Sequence, residues 1–258
     1  MTRLLSIAAG VQPDVAPADM VSVAYASGWP AVGIWFDGKT WSDTTSREVR
    51  TRLDDTGVIP LDIEPIIPSE DGNDFAEQLI EAAAVIGARH ILFTSRLKDQ
   101  LRTTDRYQQV CEMARPHGMT VVCEFLPIFP LNTLAMATEI VKTSAASNGG
   151  VLIDNLHLSR SGSSIEDVRN LPTELFPYLQ ICDAPVERPG DFGGLLDEAL
   201  NGRLCPGEGS LPIAELLRAV PAVPLSFEVR SKFLRDITDP VERAKHLLRF
   251  AQQTCGNL

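Results

Sequence analysis

Eight short apolar runs, each followed by a polar turn and a stretch with helical spacing, predict a single (β/α)8 TIM barrel over residues 1–258. The runs are continuously rather than alternately apolar, as expected for parallel strands covered on both faces. A repeat of about thirty residues, taken eight times, accounts for the length of the chain. An open doubly wound sheet is the alternative fold. It normally carries a glycine fingerprint after its first strand, and neither G-x-G-x-x-G nor G-x-x-x-x-G-K-[ST] is present.

The predicted strands begin with LLSIAA from Leu4, AVGIWF from Ala31, VIPLDIE from Val58 and HILFTS from His90. They continue with TVVCEF from Thr120, GVLIDN from Gly150, YLQICD from Tyr178 and PLSFEV from Pro224. Between the third and fourth, Phe75, Leu79, Ala83 and Ile86 share one helical face, with Gly87 as the stop. Near the end, Pro240 opens a helix that Asp239 caps, with Val241, Ala244, Leu248 and Ala251 on its buried face. The proline- and glycine-rich stretch from Ala184 to Gly209 is expected to be an irregular loop. No linker or change of composition divides the chain.

Composition narrows the function. Apolar residues are 44% and charged residues 22%, which excludes a disordered chain, a collagen and a coiled coil. Acidic residues outnumber basic ones 34 to 23, for a net charge of −11 with no basic run, so nucleic acid is not expected as a partner. No apolar run reaches the roughly eighteen residues of a membrane span, and the N-terminus lacks the features of a signal peptide. A cytoplasmic location and no membrane partner are expected. The five cysteines are scattered and form no C-x-x-C pair, which points to reduced thiols.

The polar residues within the apolar runs gather at their C-terminal ends. Glu64 closes the third run, Glu124 the fifth, Asp154 the sixth and Glu228 the eighth, while Gln180 lies in the seventh with Asp183 after it. In a barrel these ends form one mouth, where catalytic groups are carried. Carboxylates crowded there repel one another unless protons or a cation neutralise them. A divalent metal held by Glu124, Asp154, Glu228 and the amide oxygen of Gln180 meets that need, and such ligands suit magnesium or manganese. The plainer alternative is that individual acids cap helices or pair with arginines.

His157, three residues after Asp154, is placed to bind a substrate oxygen or transfer a proton. His90, His117 and His246 are read as structural. In R-L-C-P-G-E-G, Arg203 to Gly209, a guanidinium stands beside glycines that permit close backbone approach, which suits an anionic or polyhydroxy ligand. The alternative is a surface turn in which Arg203 pairs with Glu208. Trp35 and Phe125 are candidate apolar walls, and Glu64 joins Trp35, His157 and Arg203 as candidate substrate contacts.

The series C-E-F-L-P, D-N-L-H-L-S-R-S-G, Q-I-C-D-A-P, R-L-C-P-G-E-G and S-F-E-V resembles the sugar phosphate isomerase/epimerase family of xylose isomerase-like TIM barrels. The resemblance covers nearly the whole chain and is most specific from Glu124 to Glu228. It implies a divalent metal, manganese or magnesium first and zinc or cobalt as alternatives, at Glu124, Asp154, Glu228 and the strand-seven residue. That last ligand is usually histidine in epimerase-type members; here it is Gln180. His157 matches the family's substrate-binding histidine, and Arg203 the arginine that reaches substrate hydroxyls.

The implied activity is carbohydrate metabolism on a small molecule: isomerisation or epimerisation of a sugar or hydroxy-ketone, with Glu124 and Glu228 as base and acid around an enediolate. A lyase or dehydratase on the same barrel is the alternative, and a non-catalytic binding barrel a second one. A three-zinc abasic-site endonuclease is disfavoured by the acidic charge and by only four histidines. A homo-oligomer stays open.

Overall fold

Each predicted run becomes a strand in the computed structural model, which describes residues 3–256. The strands are β1 Leu5–Ile7, β2 Ala31–Trp35, β3 Ile59–Ile66, β4 His90–Phe93, β5 Thr120–Glu124, β6 Gly149–Asp154, β7 Leu179–Ile181 and β8 Leu225–Phe227. All neighbours are parallel, and β8 pairs back onto β1 with Ser6 opposite Ser226, so the sheet closes into a barrel. Closure leaves no unpaired edge.

The crossovers are helical. The first five are α1 Pro17–Ser27, α2 Asp43–Thr56, α3 Ala76–Ile86, α4 Gln100–Ala114 and α5 Leu134–Ser144. Then come α6 Asn155–Arg160, α7 Ile165–Arg169, α8 Phe192–Asn201, α9 Ile213–Ala219, α10 Lys232–Asp236 and α11 Pro240–Gly256. Helix α3 ends at Gly87 with a left-handed φ of 75°, the conformation that glycine adopts without strain. At α11, Asp239 Oδ1 accepts from the amides of Val241 and Glu242, as its capping role requires.

The stretch from Ala184 to Gly209 departs from expectation, because α8 occupies its middle. Asp191 caps that helix by accepting from Gly194 N at 2.7 Å, and Leu195 and Ala199 are buried. Glycines in the first turn and prolines on the flank mask the helical spacing.

The main core lies between the sheet and its helices. A smaller cluster, Ala31, Leu61, Leu92, Val122, Leu152 and Tyr178, fills the barrel interior below the C-terminal ends of the strands. The interior is therefore plugged, and the open space lies at the mouth.

Candidate active site at the barrel mouth

A cavity of about 260 Å³ opens at the C-terminal ends of the strands, and Trp35, Glu64, Glu124, His157, Gln180, Arg203 and Glu228 all line it. Asp154 lies just beneath and is 1% exposed. Of the ten residues named from the sequence, seven thus reach the cavity wall, and Asp154 supports it from below. Phe125 does not: it is fully buried in the outer core, because the residue after Glu124 points to the opposite face of the strand. Leu126, Ile128 and Phe129, from the loop that follows, form that wall instead.

Asp154 is fixed from two sides. Its Oδ1 accepts from the amides of Leu156 and His157 and so caps α6, while Oδ2 accepts from Arg203 Nη1 at 2.5 Å. Arg203 Nη1 also lies 3.1 Å from Glu228 Oε2, and Nε donates to Ala199 O. Its Nη2 stands 3.4 Å from His157 Nε2. The surface pair with Glu208 is not made. Glu208 accepts from Cys205 N at 3.0 Å, and Arg203, 2% exposed, turns inward.

The turn that delivers Arg203 is tied by Asp183, which anchors the loop rather than charging the cavity. Asp183 Oδ2 accepts from Gly207 N and Gly209 N, and Oδ1 from Leu211 N. A Cβ on Gly209 would stand 2.4 Å from Ala184 O, so only glycine fits this close approach.

Electrostatics at the floor follow from burial of like charges. Burial, then Glu228 and Asp154, push the Glu124 carboxyl well above the usual carboxylate range. Glu64 is pushed well up by burial and then by Asp62, and Glu228 is raised chiefly by burial. Burial acts to raise Asp154 too, but Arg203 and His157 outweigh it and hold this carboxyl below the usual range. The His157 imidazole is driven down to about 4, first by burial and then by Arg203, against Asp154. It is neutral at physiological pH, a hydrogen-bonding group or ligand rather than a stored proton.

Three groups here escaped the sequence reading. Asp62, inside the third run, is fully buried with neither carboxylate oxygen hydrogen-bonded, and burial with Glu228 lifts it to about 7. An acid within an apolar run was the visible signal. Arg96 and Arg230 also line the cavity, the second of them two residues beyond Glu228.

A divalent cation fits these residues. Glu124, Asp154 and His157 each present one ligand atom, all within 4.8 Å of one another. His157, expected as a substrate contact, thus joins the ligand group, whereas Glu228, expected as a ligand, is outside it, with its Oε2 3.1 Å from Arg203 Nη1. Gln180 is paired in register with Asp154, and its amide is buried with neither Oε1 nor Nε2 hydrogen-bonded. Such a group is costly to leave unpaired; an oxygen-seeking ion would satisfy Oε1, leaving the Nε2 donor for a ligand oxygen.

A family model described as xylose isomerase-like TIM barrel matches residues 21–253. The chain belongs to this family. The xylose isomerase-like chain is 26% identical over 169 residues to an inosose isomerase of Bacillus subtilis, covering 61% of this chain and 58% of that protein. It is 25% identical over 222 residues to a 3-dehydroshikimate dehydratase of Pseudomonas aeruginosa, covering 79% of this chain and 34% of that protein. The chain thus covers less than two thirds of the length of these curated relatives. Among solved structures, the fold matches the IOLI protein with a bound zinc atom at a TM-score of 0.85 and 16% identity, over 99% of both chains.

Proposed function

We propose that this barrel is an enzyme that moves a proton at the carbon next to the carbonyl of a small hydroxy-ketone, so isomerising or epimerising it. The observation that carries this reading is the pair Glu124 and Glu228, from β5 and β8, both lining the cavity with carboxyls raised by burial. A carboxyl shifted toward neutrality is suited both to take and to return a proton.

Glu124 and Asp154, with His157 within reach of both, would hold the cation, manganese or magnesium. The unpartnered Gln180 amide oxygen would complete the set, with Glu228 as the fourth ligand that the family resemblance implies. When bound, the cation supplies Lewis-acid polarisation of the carbonyl and its neighbouring hydroxyl. One glutamate, ionised, removes the proton from the intervening carbon, and the other, protonated, donates its own proton to the opposite face or to the neighbouring carbon; exchange of protons with solvent resets the pair. Neutral His157 hydrogen-bonds a substrate oxygen. Glu64, with Oε1 buried and unpartnered, donates a hydrogen bond when protonated. Arg203 holds Asp154 and Glu228 in place, with Nη2 beside His157 Nε2, and Trp35 forms the outer wall. The bound zinc of the IOLI protein supports a divalent site, and the five unpaired cysteines fit a reducing cytoplasm.

Elimination is the second reading, favoured because the alignment with the dehydratase covers 79% of this chain. After the same proton abstraction, a hydroxyl on the next carbon leaves with the electron pair and is protonated to water. The two are separated by incubating manganese-loaded protein with cyclic hydroxy-ketones. Conserved mass with changed stereochemistry supports epimerisation; loss of water with new conjugated absorbance supports elimination. If no ketone exchanges its α-hydrogen with solvent, the proton-transfer reading is wrong.

A further inference from the structure

Two guanidinium groups stand at the rim of the acidic cavity, and neither has a role in the mechanism. Arg96, in the segment after β4, lies with its guanidinium 4.8 Å from the centre of the Phe129 ring. Arg230, after β8, lies 5.9 Å from the centre of the Trp35 ring. Both line the cavity, from strands on opposite sides of the barrel. Among the described residues, the ion pairs of this cavity belong to Arg203, and neither Arg96 nor Arg230 has a carboxylate within 4.0 Å. Arg230 Nε is buried with no hydrogen-bond partner.

This placement is built. A Cβ on Gly10 would stand 2.6 Å from Glu228 Oε1 and 3.3 Å from Arg230 Cδ, so glycine leaves the room in which the two side chains pass. Each guanidinium lies over an aromatic ring, which attracts the cation without occupying its N–H donors. Arg230 partly offsets the floor acids, since its charge acts to lower Glu64 and Glu228, but it makes no ion pair with either. An acid-lined floor repels an anion, so two cations without ion pairs at the rim suit a ligand charged at one end and neutral at the other.

We infer that Arg96 and Arg230 bind a carboxylate, and that the substrate is a ring-sized hydroxy-ketone with one carboxylate at the rim and its carbonyl at the floor. The inference rests on the proton-transfer reading of the floor and names the substrate class for it. The cavity, about 260 Å³, suits a single ring. A carboxylate suits the rim better than a phosphate, whose second charge is harder to hold above five buried carboxyls, those of Asp62, Glu64, Glu124, Asp154 and Glu228.

The test is binding to manganese-loaded protein of 3-dehydroshikimate and its methyl ester, of the neutral ketone inosose, and of a cyclic phosphate monoester. Parent, R96Q, R230Q and R96Q/R230Q proteins are compared at low and high salt. The expected result is an acid-over-ester preference of about tenfold or more in the parent. It should shrink in each single variant, fall to about one in the double variant, and weaken with salt. Equal binding of acid and ester by the parent, tighter binding of inosose or of the phosphate, no binding of any probe, or a preference that survives in the double variant overturns the inference.

Solvent deuterium exchange separates this from the reading beneath it. Exchange into inosose with no preference for the acid removes the rim and leaves the floor. Arginine-dependent binding of the acid without exchange removes the floor and leaves the rim.

Discussion

Arg203 Nη1 lies 2.5 Å from Asp154 Oδ2, and both side chains are almost wholly buried. The contact joins the capping carboxylate at the end of β6 to the turn after α8, and through Glu228 it reaches β8. Removing one member of a buried pair leaves the other charge uncompensated. Arg203→Met should therefore destabilise the protein by about 3–5 kcal/mol, read as a shift of the urea midpoint. An unchanged midpoint would mean that the pair is not formed in solution.

Asp183 makes a separate prediction, because it collects the amides of Gly207, Gly209 and Leu211. Asp183→Ala should cost at least about 1–3 kcal/mol and make the 203–211 turn the first site of proteolytic cleavage. Cleavage elsewhere first, at the parent's rate, counts against the anchoring role.

Much of this was legible in the sequence. All eight strands follow from continuous apolar runs, because burial on both faces leaves that pattern. Glu64, Glu124, Asp154, Gln180 and Glu228 were visible as polar residues at strand ends. Helix α8 was hidden by glycines in its first turn. Phe125 turns away from the cavity because successive residues of a strand face opposite sides, and the one after Glu124 falls on the outer side. The partner of Arg203 was not readable, since Asp154 is 49 residues away and only closure of the barrel brings them together. Arg96 and Arg230 carried no local pattern; what distinguishes them is the lack of an ion-pair partner, a property of the fold.

The pH dependence has a definite sign. The Asp62 carboxyl is lifted to about 7 by burial and Glu228, above its unfolded value near 3.9. Between these values the folded state binds more protons than the unfolded one, so stability falls as pH rises, and the loss is complete above about pH 7. Glu64, Glu124 and Glu228 act in the same direction, and Asp154 in the opposite one. In chelator-treated protein, Asp62→Asn should raise the melting temperature at pH 8 and give no advantage at pH 4. A pH-independent difference would place the Asp62 proton elsewhere.

Metal uptake is a fourth expectation. Elemental analysis after manganese loading should give close to one ion per chain in the parent and little in the Glu124→Gln, Glu228→Gln double variant. Gln180→Ala should weaken uptake by at least the roughly 10–100-fold typical of disturbing a metal's outer shell. Equal uptake by all three proteins would remove these residues from the ligand set.

The most direct measurement of the central claim is deuterium incorporation from solvent into a hydroxy-ketone, comparing manganese-loaded parent with Glu124→Gln and Glu228→Gln separately. The account expects metal-dependent incorporation at the carbon beside the carbonyl in the parent, reduced by about 10²–10⁴-fold in each variant. Incorporation at the parent's rate in both variants would contradict it.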